Sequence, residues 1–442
     1  GVPSGGVPSS GTTRQQADSL RNDALALRRE GRHEEALDAF RRALEAYRGI
    51  GGTAEDQADC LHYGIGLTLQ TTGRYSQALE VYDQSLELYR QVGDTQRDQA
   101  NCRYNAANAL RRSQRYEEAR LAYQDALSLY RQVEGTEEDQ ADCLNGVGLA
   151  MTGAGRSEAA LAPYSLALDI YRQLPGTELD QANCLHSTAN ALDDVGRYAE
   201  AVEAYRQSLE LYRQVGRTSR EQANCLYNIG GTLRRAGRPE EALSAYRQAL
   251  EAYRQVEDTT RAQGLCLENT GNTLCRMSRY AEALASYHQA LEVYRQVEGT
   301  EKDQADCLGG IGRALDALKR REEALSAFYR ALELYRTVPG MVRQQADCLL
   351  RAGNALDDLD RCTEALTTYH RALETYQQVE DSTRGQANCL YNIGGTLRST
   401  ERYAEALATY HQALEAYQQV EDSTRDQADC LNGTGLALAG RG

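Results

Sequence analysis

The chain of 442 residues has no tryptophan, two phenylalanines and two lysines, Lys302 and Lys319. It also lacks any run approaching the ~18 consecutive apolar residues that a membrane-spanning helix needs. Residues 1–11 (GVPSGGVPSSG) show neither the charged start nor the apolar stretch of a secretory signal. They are Gly/Ser/Pro low complexity and are expected to form a flexible leader. The absence of an initiating Met suggests a segment of a longer protein, so further domains of the same polypeptide are expected among its partners. Period-two alternation and β-branched runs are missing, which excludes a sheet. No Cys-x-x-Cys pair offers a thiolate metal site. There is no glycine-rich phosphate loop, no Gly-x-Ser-x-Gly and no His-Glu-x-x-His, so nothing supports an enzyme or a cofactor. The six histidines do not change this, because His288, His370 and His411 share one repeated position. A net charge of −15 argues against a general nucleic-acid or lipid-surface binder.

What the chain does have is a period. Gln-Ala-Asp/Asn-Cys-Leu, with small variations, recurs every 41 or 42 residues and is marked by Cys60, Cys102, Cys143, Cys184, Cys225, Cys266, Cys307, Cys348, Cys389 and Cys430. A unit this short cannot bury its own apolar face, so it must stack on its neighbours. Equivalent positions in stacked helices lie on the order of 10 Å apart, whereas a disulfide needs Cα atoms within about 7 Å. The periodic cysteines therefore read as small buried hydrophobes. Free thiols in this number point to a reducing, cytoplasmic compartment.

Residues 218–256 show the local logic. Thr218 is placed to cap a helix, with Glu221 closing a capping box, and Ser or Thr holds that site in ten of eleven copies, Met341 being the exception. Ala223, Leu226, Ile229, Gly230 and Leu233 share one helical face. Gly237 ends the first helix in the left-handed region, and Pro239 opens a second at its first turn. Ala242, Leu243, Tyr246, Ala249, Leu250 and Tyr253 form the second helix's apolar stripe. Each unit is thus a hairpin of two helices of roughly 15–18 residues. Small residues such as Gly230 and Ala242 set against Tyr246 let the helices approach. The core bulk comes from 28 tyrosines. An Arg stands in the first-to-second-helix turn of all ten copies, from Arg32 to Arg402, and its regularity suggests a structural role.

Three irregularities carry expectations. Ser19 to Cys60 is 41 residues but Gly31 to Gly73 is 42, so an extra residue falls after Cys60 and predicts a π-bulge or register shift there. Pro163, two turns into a second helix, predicts a kink or a late start. QANCLYNIGGTLR occurs at 222–234 and again at 386–398, an offset of 164 residues or four repeats. Similar surfaces therefore recur at two places, which suits a ligand with a repeated segment.

Leu226, Ile229, Gly230, Leu233, Gly237, Ala242, Tyr246 and Ala249 match the signature of the tetratricopeptide repeat in type and spacing, and the chain resembles that family over residues 12–442. The usual repeat has about 34 residues and closes its second helix with proline. Here Arg254 stands in that place and the helix is expected to reach Val256. This is similar to the longer-repeat branch of kinesin light chains and of signalling-ATPase arrays. The resemblance implies an all-α, right-handed α-solenoid superhelix: a leader at 1–11, ten repeats over 12–422 and a terminal half-repeat helix over 423–442.

It also implies that first helices line a concave groove. By position the groove then holds Asn224 and Gly231 and an asparagine ladder of Asn105, Asn108, Asn190, Asn228, Asn269, Asn272, Asn354 and Asn392. Asn is a poor interior helix residue, and its amide can bracket the peptide unit of an extended chain. Tyr104, Tyr227 and Tyr391 add flat amphipathic area. Charge comes in blocks: Arg111 and Arg112, then Asp193 and Asp194, Arg234 and Arg235, the acidic Asp316, Asp357 and Asp358, and Arg398. A ligand with matching blocks would be selected. The Lys/Asn carboxylate clamp of some relatives is not evident. The leading expectation is a scaffold binding an extended peptide or protein surface. One alternative is the ligand-sensing segment of a larger signalling or defence ATPase. Another, at odds with the net charge, is a groove for single-stranded nucleic acid.

Overall fold

The structure is a computed structural model and describes residues 13–441, so the leader at 1–11 lies outside the described residues. Among the described residues there is no strand. Contacts divide the chain into two compact units, Gly1–Arg217 and Thr218–Gly442. The first holds five helical hairpins; the second holds five more and a last helix, Thr424–Arg441. In the 218–256 unit the first helix is Ser219–Arg235 and the second Pro239–Arg254, which stops two residues short of Val256.

Close approach within a hairpin depends on glycine. A Cβ on Gly230 would lie 2.7 Å from the Tyr246 ring, and one on Gly353 would lie 2.5 Å from that of Tyr369. Tyr246 and Tyr369 are each 1% exposed, so the tyrosines are the core, as their number suggests. The ten periodic cysteines are buried free thiols, and Cys275 and Cys362 are partly exposed. Burial pushes the Cys102 thiol up to about 12, and its sulfur sits 3.3 Å from the Tyr82 carbonyl oxygen.

Two local expectations are met. The extra residue after Cys60 is absorbed by a π-helical turn, Cys60–Gly66, inside an otherwise α-helical segment. Gly237 has φ 73° at the end of its helix, and Arg238 N–H bonds back to the Leu233 carbonyl at 2.9 Å. Elsewhere the same turn is made by residues with a Cβ, among them Gln114, Ser278 and Lys319, with φ near 60°.

Two others need correction. Of the two outcomes expected at Pro163, a kink or a late start, the late start is excluded, since the helix begins in register at Ser157. Among the described residues a side-chain cap and capping box are seen at Thr13 with Gln16, whereas Thr218 and its equivalents at the following hairpins make no side-chain cap bond. Thr300 Oγ instead donates to the Tyr294 and Val297 carbonyls at 2.7 and 2.9 Å and accepts from Gln304 at 3.1 Å. Carbonyls at a helix C-terminus are orphaned acceptors; the hydroxyl satisfies these and draws the inter-repeat loop onto the preceding helix. The same arrangement recurs at Thr53, Thr95, Thr136, Thr177, Thr259, Ser382 and Ser423. At the exception, Met341, Gln345 reaches the Tyr335 carbonyl itself at 3.3 Å.

The turn arginines are structural. Arg320 grips Glu323 with Nε and Nη2, both at 2.6 Å, at the start of its helix. Arg361 adds a bridge to Glu322 of the preceding repeat at 3.5 Å. These pairs are exposed, so solvent screening and side-chain entropy leave each of them weak.

Candidate functional site

Within each unit most consecutive first helices come close to one another, which consecutive second helices do not do to the same degree. The candidate site is the face that these first helices share. Every sequence-predicted site residue stands on one of these helices except Asp358, which follows the last residue of Val342–Asp357 as its C-cap.

The asparagines fall into two sets, and both are bound into the protein. Asn108, Asn190, Asn272 and Asn354 accept the hydroxyls of Tyr123, Tyr205, Tyr287 and Tyr369, for example at 2.8 Å for Asn272 and 2.9 Å for Asn354. Asn105, Asn269 and Asn392 reach the preceding repeat. Asn105 meets His62 Nε2 at 2.8 Å, Asn269 donates to the Tyr227 hydroxyl at 3.0 Å, and Asn392 donates to Asn354 at 2.8 Å. Asn228 is half-buried on the same face. The ladder persists in part because it wires rings and repeats together. His62, fully buried within the π-helical turn, is held neutral, its pKa pushed down to about 3 by burial.

The aromatic area is present as expected. Tyr104, Tyr227 and Tyr391 tilt against Tyr123, Tyr246 and Tyr410 with centroids 5.7, 5.8 and 5.8 Å apart. The charge blocks are less simple. Asp316 and Asp358 both pair with Arg321, and Asp357 accepts the Thr396 hydroxyl at 2.8 Å, so the acidic block is largely engaged internally. Asp194 accepts from Ser157 at 2.9 Å, and Asp193 is half-buried. Arg112 and Arg235 are exposed, while Arg111 Nε sits 3.3 Å from the Tyr123 hydroxyl. Arg234 and Arg398 each bury an Nε with no hydrogen-bond partner.

Three features escaped the sequence reading. The Asp/Asn before each cysteine accepts the outer tyrosine of its own hairpin, as Asn224 does from Tyr253 at 2.6 Å. The signal was there, since only Asp and Asn alternate at that place in nearly every copy. The one apolar replacement, Leu265, is compensated by Glu268, which accepts Tyr294 at 2.9 Å. Burial, with Asp306 and Asp303 adding repulsion, pushes the Glu268 carboxyl up to about 7. Finally, Arg313 and Arg351 stand in the two asparagine registers of the second unit and form no ion pair among the described residues. Arg351 touches solvent yet is walled by protein, and burial together with Arg313 lowers its pKa.

The geometry agrees with the comparisons. The tetratricopeptide-repeat family model matches residues 15–91, 56–132, 98–173, 139–214, 180–255, 265–337 and 345–419, and the chain belongs to that family. Three solved structures are similar in fold. The signal transduction ATPase PH0952 from Pyrococcus horikoshii, described as having a tetratricopeptide repeat sensor, is 14% identical, with TM-score 0.58 over 86% of this chain and 55% of that one. Apo RapI is 13% identical, with TM-score 0.55 over 77% of this chain and 97% of that one. The apo quorum sensor NprR from B. thuringiensis is 14% identical, with TM-score 0.54 over 79% and 96%. No curated protein matches the sequence. Among the described residues no helix is long and apolar enough to cross a membrane, and no cluster of three or more His, Cys, Asp or Glu is placed to hold a metal ion.

Proposed function

We propose that this chain is a protein–protein interaction scaffold that binds an extended peptide or protein surface along the face its first helices share. The supporting observation is that face itself: tilted tyrosine pairs, amide groups at regular spacing, and arginines without ion-pair partners in the second unit. An extended chain presents amides and side chains at a fixed rise, which such a periodic surface meets. The amide carbonyls of Asn108, Asn190, Asn272 and Asn354 already accept tyrosine hydroxyls. What those asparagines add for a ligand is therefore chiefly the donor side. Selection from a displayed random-peptide library tests the reading. Selected peptides bind the wild-type chain and lose at least tenfold in affinity against Asn228→Ala/Asn392→Ala; equal retention by that variant, with its helicity intact, removes the asparagines from the site.

A second reading is favoured by the likeness to an ATPase with a repeat sensor: this chain would be the ligand-sensing segment of a larger signalling or defence ATPase. A nucleotide-binding module encoded upstream in the same reading frame supports it, and a gene that ends at this array rejects it.

A further inference from the structure

The stretch Gln222–Arg234 is repeated without change as Gln386–Arg398, both within the second unit. In these two repeats Gly231 and Gly395 occupy the register held elsewhere by Asn272 and Asn354. The missing side chain leaves room, because a Cβ at Gly231 would stand 3.7 Å from the Tyr246 hydroxyl and one at Gly395 would stand 3.8 Å from that of Tyr410. One turn further on, Arg234 and Arg398 each seal an Nε away from any acceptor. A buried donor without a partner is costly, and the same orphan recurs where the same thirteen residues recur. Each cell thus has a glycine floor with room for a small side chain, a tyrosine wall and a guanidinium whose Nε has no partner. Arg313 and Arg351 stand on the same face between the cells.

From this we infer, building on the groove reading, that the two cells are matched carboxylate sites, each receiving an acidic side chain of one extended polypeptide. A carboxylate offers the planar, bidentate acceptor that a guanidinium fits best, and meeting it lets the side chain turn its Nε to a partner. Four repeats separate the cells. At ~10 Å per stacked hairpin that is roughly 40 Å, which ~12 extended residues span.

The test uses the full chain and labelled 16-residue Gly/Ser peptides carrying a Glu pair at both ends, at one end, or Gln at both ends. The two-ended peptide binds at least tenfold tighter than the one-ended peptide, and the Gln peptide binds weakest. Arg234→Gln or Arg398→Gln alone reduces the two-ended peptide to the one-ended level. The variant Gly231→Asn/Gly395→Asn places in each cell the residue its sister repeats carry. It keeps the thermal midpoint and loses the two-ended advantage. Equal binding of the Glu and Gln peptides, or no loss in these variants, overturns the inference. So does a 12-nucleotide oligouridylate that binds tighter than the two-ended peptide through the same arginines. Library-selected peptides that bind the first helices without an acidic pair defeat this inference and leave the groove reading standing. Selected peptides that contact only second helices defeat both.

Discussion

Replacing Glu268 by Gln should stabilise the protein, and only above pH 5. Glu268 takes over the Tyr294 hydroxyl because Leu265 cannot. Burial first, then Asp306 and Asp303, raise its carboxyl from the ordinary 4.5 to about 7, against the hydrogen bond from Tyr294 and a smaller opposing pull from Lys302. The sign follows from proton counting: between these values the folded protein binds a proton that the unfolded chain has released, so stability falls as pH rises through this window. Each tenfold in the acid constant is worth about 1.4 kcal/mol, which gives roughly 3 kcal/mol. The residue is half-buried rather than sealed, so about 2 kcal/mol is the expected cost of ionisation at pH 8. Glu268→Gln keeps the acceptor for Tyr294 and removes the charge. Asp142, held at about 6 by burial, titrates in the same range, so the informative quantity is the difference between variant and wild type. Chemical unfolding at pH 5 and pH 8 reads it. The variant gains about 2 kcal/mol at pH 8 and close to nothing at pH 5. An equal effect at both pH values, or destabilisation at pH 8, would show that Glu268 is not a buried, unpaired charge.

Further predictions address the scaffold. Thr300→Val removes the hydroxyl donor from the Val297 carbonyl and leaves that of Tyr294 with only the Val297 N–H, which costs ~1–3 kcal/mol in chemical unfolding, whereas Thr300→Ser stays within ~0.5 kcal/mol, since Ser382 and Ser423 already do the same work. Lys319, at φ 63°, is a left-handed residue with a Cβ; Lys319→Gly raises the thermal midpoint through ~1 kcal/mol of relieved strain, and a lowered midpoint contradicts that. A thiol reagent labels Cys275 and Cys362 rapidly in the native protein and all twelve cysteines once it is denatured. Fast native labelling of Cys225 would contradict the packing described.

The fold was legible because one sequence pattern is written ten times. Apolar spacing, Gly237 at the turn and Pro239 at the next helix start are short-range signals, and repetition averages out their noise. The insertion after Cys60 could be located because the period acts as a ruler. Thr218 was misread because a hydroxyl before a helix serves either the helix it precedes or the loop it closes, and sequence does not choose between them. The site was legible only as positions. That Asn272 serves Tyr287, that Asp358 is engaged by Arg321, and that Arg313 stands without an ion pair depend on which second-helix side chain reaches across. Such contacts are set by packing between hairpins, which periodicity leaves unstated. The paired cells are an intermediate case: the repeated QANCLYNIGGTLR was visible, but the orphaned Nε of Arg234 and Arg398 was not.

Site-specific cross-linking tests the central claim most directly. A photoreactive residue replaces Arg313 on a first helix or Arg330 on a second helix of the same hairpin, and each protein is illuminated with a library-selected peptide. The first-helix account predicts adducts from position 313 and none from position 330. Adducts from 330 alone would place the ligand on the opposite face and contradict it.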